Sequence, residues 1–313
     1  MHHIALGLVT RRRPQQLLDA LLSFKALTPV PEAKVTVIVV ENDDDLSIDP
    51  ILEQADLASV GYDVIRGLET QPGIPFARNA VLSRALALGA DYLTFIDDDE
   101  TALPNWLCAI YSSAVARNLD LAGGPVLLGP VETKSQRERR LVKRALQDRF
   151  QRKNLSSLDK VQAGTDSGVS IYTNNWLCRL DFVRQTGLRF DESFGMSGGT
   201  DTKFWRDAQK LGAQTGWVPD AIVVDHPDLS RFTLAYQYKR SRDQAISNSV
   251  VYERQEKPVK AMLGVAFAAI FGVFRILFSP FNRLSGVPKA VQKFGHAVGV
   301  LMHAWGQSSR HYK

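Results

Sequence analysis

Short apolar runs and helical stripes alternate along the first hundred residues. His3–Val9, Lys34–Val40 and Tyr92–Ile96 are compact, β-prone stretches that read as buried strands, and Tyr62–Arg66 is a further candidate. Between the first two, Leu17, Leu18, Ala20, Leu21, Leu22 and Phe24 recur at helical spacing behind Pro14, which a first helical turn tolerates. A second helix is predicted through Ala77-Arg78-Asn79 to Leu88, with Gly89 as its C-terminal cap. Strand and helix in alternation predict a mostly parallel sheet with right-handed crossovers.

The second half is less regular. Lys134–Lys153 is dense in Lys and Arg with Leu141, Val142, Ala145, Leu146 and Phe150 interleaved, the pattern of a basic amphipathic helix. Ser167–Cys178 reads as extended, a helix is expected from Thr202 to Leu211, and Trp217–Val224 is a strand candidate. Past Pro258 the character changes. Ala261–Phe278 is apolar except for Arg275, with Lys257, Lys260, Arg283 and Lys289 on its flanks. Eighteen residues is the short limit for crossing a bilayer, and the glycines and Arg275 favour an interfacial or re-entrant helix pair with Ala297–Trp305.

Composition narrows this picture modestly. With 45% hydrophobic and 23% charged residues the chain is globular and not wholly membrane-embedded. Its two cysteines, Cys108 and Cys178, have no metal-ligand spacing and no disulfide framework, which fits a reducing compartment. No basic region followed by an apolar run and a cleavage site opens the chain, so no secretory signal is expected. A net charge of +5 suits phosphate-bearing ligands or anionic lipid without singling out nucleic acid. The glycine fingerprint of dinucleotide-binding folds and the phosphate-binding GxxxxGK[ST] loop are both absent.

The chemistry concentrates where the Tyr92–Ile96 run ends, at Asp97-Asp98-Asp99. Three carboxylates beyond a strand end repel one another and lose solvation, a cost that a divalent cation relieves. Ligands of open α/β sheets sit at such strand ends. The other reading of the same residues is a polar turn into a helix N-terminus, where acids favour the dipole.

Five motifs in order resemble the family 2 inverting glycosyltransferases of the GT-A fold: a strand ending in Thr10, a second ending in Glu41-Asn42, Ala77-Arg78-Asn79, Phe95-Ile96-Asp97-Asp98-Asp99, and Gly198-Gly199-Thr200-Asp201. The resemblance covers roughly residues 3 to 245, and its sub-branch looks like bacterial exopolysaccharide transferases. It implies a nucleotide-diphospho-sugar transferase fold, a mostly parallel sheet flanked by helices, with residues 1–100 as the donor half and 101–256 as the acceptor half; the apolar stretches past Pro258 make 257–313 a helical segment expected at the membrane.

The implied reaction moves a sugar from a nucleoside diphosphate sugar, a UDP-sugar by preference, to a glycan or polyprenyl-diphosphate-linked saccharide. The implied cofactor is a divalent metal, Mn2+ or Mg2+, and the implied place is the cytoplasmic face of a bacterial inner membrane. By the same resemblance Thr10, Arg12, Glu41, Arg78, Asp97 and Asp98 line the donor pocket, Asp97 facing the ribose. Asp99 with Asp97 holds the metal, Asp98 supporting them, and Asp201 is the general base, its other reading being the N-cap of the helix that follows. His226, placed after a strand, either completes the metal shell, binds the diphosphate or is a structural histidine. Arg231, Lys239 and Arg242 fall where basic residues approach the diphosphate or lipid head groups. Trp176, Trp205 and Trp217 are either a sugar-stacking platform or core.

Two positions depart from the family pattern: Glu41 stands where aspartate is usual, and Thr200 where a glutamate usually precedes the base. Two other functions remain open at this point. A sugar-phosphate nucleotidyltransferase shares the general fold, though Val9-Thr10-Arg11-Arg12-Arg13 lacks the glycines of its loop. A catalytically silent binding module is the reading that Thr200 keeps alive.

Overall fold

A computed structural model describes residues 1–131, 137–253, 257–277 and 286–307. Lys134, Phe278 and Arg283, named above, lie outside the described residues. The chain forms two compact units: residues 1–129, 152–195 and 200–226 make the first, and 130–151, 196–199 and 227–313 the second.

The first unit begins with β1 (His2–Thr10), α1 (Pro14–Lys25), β2 (Ala33–Glu41), α2 (Asp49–Ala55), β3 (Asp63–Leu68), α3 (Ile74–Ala87) and β4 (Tyr92–Ile96). β1 pairs in parallel with both β2 and β4, and β2 with β3. The near-continuous apolar character of these strands reflects burial: every residue of β4 is buried, as are most of β1 and β2. Gly7 permits the close packing beneath. A Cβ there would stand 2.7 Å from Val81 Cγ1 and 2.8 Å from the Phe95 ring, so only a residue without one lets α3 settle on the sheet.

β5 (Glu100–Ala102), α4 (Trp106–Ala116), β6 (Leu121–Gly123) and β7 (Val126–Leu128) follow. After α5 (Arg137–Gln162) come β8 (Asn175–Arg179), α6 (Leu180–Thr186), α7 (Thr200–Lys210), β9 (Thr215–Trp217) and β10 (Val223–Asp225). The large sheet has the order β3-β2-β1-β4-β8-β6-β9, and a small one has the order β5-β10-β7. β8 runs antiparallel to its neighbours β4 and β6.

Two extended readings are corrected here. Ser167–Cys178 becomes strand only from Asn175, and Trp217–Val224 divides into the end of β9 and the start of β10, which belong to different sheets. Asp220 and its neighbours turn the chain between them, and local apolarity carries no record of which sheet a short strand joins.

An aromatic cluster fixes α7 on the large sheet. Phe95 stacks on Trp176 at 5.8 Å, Trp176 meets Phe204 edge-on at 4.9 Å, and Phe190 stacks on Phe204 at 4.4 Å. Each such pair adds about 0.5–1.5 kcal/mol beyond its buried area. Trp176, Trp205 and Trp217 are all buried, so the tryptophans are core and not a sugar platform.

The second unit is helical: the first part of α5, then α8 (Leu234–Val251), α9 (Pro258–Leu277) and α10 (Gly286–Ala304). α10 packs on both α8 and α9. Cβ atoms at Gly295 and Gly299 would lie 2.6 Å from Tyr238 O and 2.2 Å from Arg242 O, so these glycines let α10 lie directly against the α8 backbone. Arg242 pairs with Asp243 on α8 at 2.8 Å. No described helix is long and apolar enough to cross a membrane.

Candidate active site

Thr10 and Glu41 are register partners at the carboxyl ends of β1 and β2, and the Asp97–Asp99 triad follows β4 on the other side of β1. Because β2 and β4 leave β1 in opposite directions, this edge is the point where the strand order reverses. Open α/β sheets bind ligands there, since no crossover covers the strand ends.

Each carboxylate of the triad has a different environment. Asp98 is buried and receives Thr10 Oγ1 at 2.9 Å and Arg13 Nη1 at 2.9 Å. Asp99 lies 3.6 Å from the same Arg13 guanidinium. Asp97 accepts from Arg78 Nη2 at 3.3 Å. Burial pushes the Asp97 carboxyl up to about 6; Arg78 opposes the rise, while Asp99, Asp98 and Asp201 add to it. Asp98 is likewise raised, by burial first, with Arg13 opposing.

Sequence reasoning missed Glu100, Arg13 and Asn42. Glu100 is fully buried, accepts the Asp97 backbone N–H at 3.0 Å, and accepts Asn174 Nδ2 at 2.7 Å. Burial, then Asp97, then Asp225 raise its carboxyl well above the ordinary range. Asp225 stands opposite it in the β5–β10 pairing. Arg13, not Arg12, reaches the triad. Arg12 sits in left-handed backbone at φ 53° and forks onto Asp43 at 2.5 and 2.7 Å, its side chain largely exposed. Which arginine of a run points inward depends on that backbone reversal, which the sequence does not announce. Asn42 ties down the segment ahead of α3, donating to Glu69 O and Gln71 O and accepting from Gly73 N.

Glu41 is buried and holds Ser47 with both oxygens, accepting its N–H at 2.5 Å and its hydroxyl at 2.6 Å. Arg78 is buried in α3 and spans two elements, donating to Asp97 and, through Nη1, to Thr200 Oγ1 at 3.1 Å. Thr200 is the first residue of α7, and Asp201 follows in its first turn. Asp201 accepts the Thr202 N–H at 2.8 Å, a bond to its own neighbour and not that of an N-cap, and its charge adds to the rise at Asp97. The exposed His226 donates its backbone N–H to Asp99 O at 2.8 Å, and its Nε2 contacts Thr101 Oγ1 at 2.8 Å.

Among the described residues no three carboxylate, imidazole or thiol groups are gathered as a preformed metal shell. What fits a divalent ion is the donor chemistry. Asp97 and Asp99 carry carboxylate oxygens of the kind Mn2+ or Mg2+ takes, and the imidazole of His226 suits a transition ion such as Mn2+; burial first, and then the neighbouring carboxylates, raises the Asp97 carboxyl to about 6.

A mostly parallel sheet with an acidic strand end at its switch point is the architecture of the GT-A fold. Residues 6–179 match the model of glycosyl transferase family 2, and the chain belongs to that family. It is a glycosyltransferase. It is 30% identical over 240 residues to the succinoglycan biosynthesis protein ExoM of Rhizobium meliloti (strain 1021), an alignment covering 76% of this chain and 71% of that one. Its fold is similar to that of the mannosyltransferase PcManGT of Pyrobaculum calidifontis, solved with GDP-Man and Mn2+. The TM-score is 0.60 at 12% identity, over 97% of this chain and 88% of that one.

Proposed function

We propose that this glycosyltransferase moves a sugar, with inversion, from a nucleoside diphosphate sugar to a hydroxyl of a growing cell-surface polysaccharide. A UDP-sugar is the donor and a lipid-linked saccharide the acceptor. The observation that carries this reading is the Arg78 bridge, which ties the acidic end of β4 to the helix start that presents Asp201. Inverting transfer needs positive charge, such as a carboxylate-held divalent ion, to stabilise the departing diphosphate and a separate carboxylate to take the acceptor proton. Here the two functions are held by one guanidinium. Similarity to ExoM, a succinoglycan biosynthesis protein, supports the polysaccharide context.

In this reading Thr10 and Arg13 fix Asp98, so that Asp98 supports its neighbours. Asp97, Asp99 and His226 would hold a divalent ion, which supplies charge stabilisation of the leaving diphosphate. Glu41 and Thr10 border the nucleoside end of the edge. Asp201 takes the proton from the acceptor oxygen as that oxygen forms the new glycosidic bond. The exposed apolar face of α9 rests on a membrane surface and keeps the enzyme beside lipid-linked acceptors.

The test is a panel of nucleotide sugars incubated with the enzyme, with and without Mn2+, read as released nucleoside diphosphate. Metal-dependent release from one donor is expected, and its loss in Asp99→Ala. No metal-dependent release from any donor overturns the reading.

A further inference from the structure

α9 is built inside out. Its small residues Ala261 and Ala268 are buried, while Val259, Leu263, Phe267, Ile270 and Val273 recur three or four residues apart on the exposed side, with Phe274 beside Val273. Phe267 and Ile270 are 62% and 68% exposed, far beyond the scattered apolar residues of an ordinary surface.

Within the same unit lies a cavity of about 320 Å³, inside the usual range of small-molecule sites. Arg149, Lys289, Lys293 and His296 line it with the amides of Gln244 and Asn248, and among the described residues that line it there is no carboxylate. Asp148 approaches Lys289 at 3.9 Å from outside that lining. Lys293 joins cavity to apolar face. Its Nζ lies 3.6 Å from the Phe271 ring centroid and 5.3 Å from that of Phe267 on α9.

We infer that this cavity receives the phosphate of an anionic phospholipid headgroup while the α9 face lies among the acyl chains. The chemistry asks for such an occupant. Ammonium and guanidinium groups with amide donors match phosphate oxygens, and the apolar face that Lys293 reaches at Phe267 matches the chains of the same molecule. A second copy of this chain would bring the same cations to the same place and repel. The inference rests on the membrane reading of α9 given above but is separable from it.

The experiment is co-sedimentation of the full chain with phosphatidylcholine vesicles, with and without phosphatidylglycerol, read as the ratio of the two partition coefficients. The wild type should favour phosphatidylglycerol, and Arg149→Gln and Lys289→Gln should each reduce that preference about fivefold. Gln244→Phe fills the cavity without altering charge and should also reduce it several-fold. Diffuse surface attraction would leave the Gln244→Phe ratio untouched, and that result overturns the site. Phe267→Ser with Ile270→Ser should lower partition into both vesicle types while keeping the ratio. Unchanged partition in that variant defeats the membrane reading itself, whereas cavity variants of wild-type ratio defeat only the headgroup site. Circular dichroism on each variant excludes unfolding as the cause. Concentration-dependent self-association through α9 in the absence of vesicles would overturn the proposal.

Discussion

Arg78 reaches Asp97 from the middle of the molecule's third helix, its Nη2 3.3 Å from the carboxylate, while its Nη1 holds the start of α7. A buried guanidinium keeps its charge at any physiological pH and makes two directed hydrogen bonds at once. Lysine provides one charge without the fork. Arg78→Lys is therefore expected to fold and to lose about 10–100-fold in kcat, as loss of an orienting contact does. Steady-state kinetics on the preferred donor checks it, with thermal melting to confirm the fold.

Asp201→Asn keeps the size and the hydrogen bond to the Thr202 N–H and removes the basicity. Transfer should fall about 10²–10⁴-fold while nucleoside diphosphate binding by calorimetry stays near wild type. Wild-type transfer in this variant would remove Asp201 from the mechanism.

Glu100→Gln keeps an oxygen that accepts the Asp97 N–H and replaces the buried carboxyl beneath the triad with a neutral amide. With the carboxyl that supports the Asp97 backbone replaced, the apparent affinity for Mn2+ should weaken about tenfold or more. Titration of activity against Mn2+ measures it.

Asp166 gives a pH signature elsewhere in the first unit. Burial alone raises its carboxyl, but the Trp217 N–H at 2.8 Å and Arg117 Nη2 at 2.6 Å more than offset this and hold it below the ordinary value. A depressed carboxyl contributes stability above its unfolded pKa of 3.8 and loses it as pH falls through the lower folded value. Asp166→Asn should cost about 1–3 kcal/mol at pH 7, and the gap to wild type should narrow below pH about 4. Denaturation followed across pH 3–7 tests the sign.

Gly7→Ala drives a methyl into Val81 and Phe95. Overpacking of this kind costs about 1–3 kcal/mol, or roughly 2–10 °C in melting temperature. Because the pressure falls on α3, which carries Arg78, donor turnover should drop along with stability.

The strands of the first hundred residues and the acidic triad were legible in the chain because β1, β2 and β4 are buried on both faces and so are written as unbroken apolar runs. That Thr10 stands beside Glu41 is set by the folded register, and the sequence named both only through its resemblance to the family. Elements of three residues, such as β5, β6, β7 and β10, are too short for any periodicity to register, and Glu100 lies in one of them. Only the folded chain decides that Arg13 faces the triad while Arg12 turns to Asp43, or that Arg78 spans from Asp97 to Thr200, 122 positions on from the arginine. Local sequence dictates dihedral preference and burial pattern. The pairing of charges distant in sequence is decided by packing, because a charge taken out of water is stable only where the fold supplies its partner.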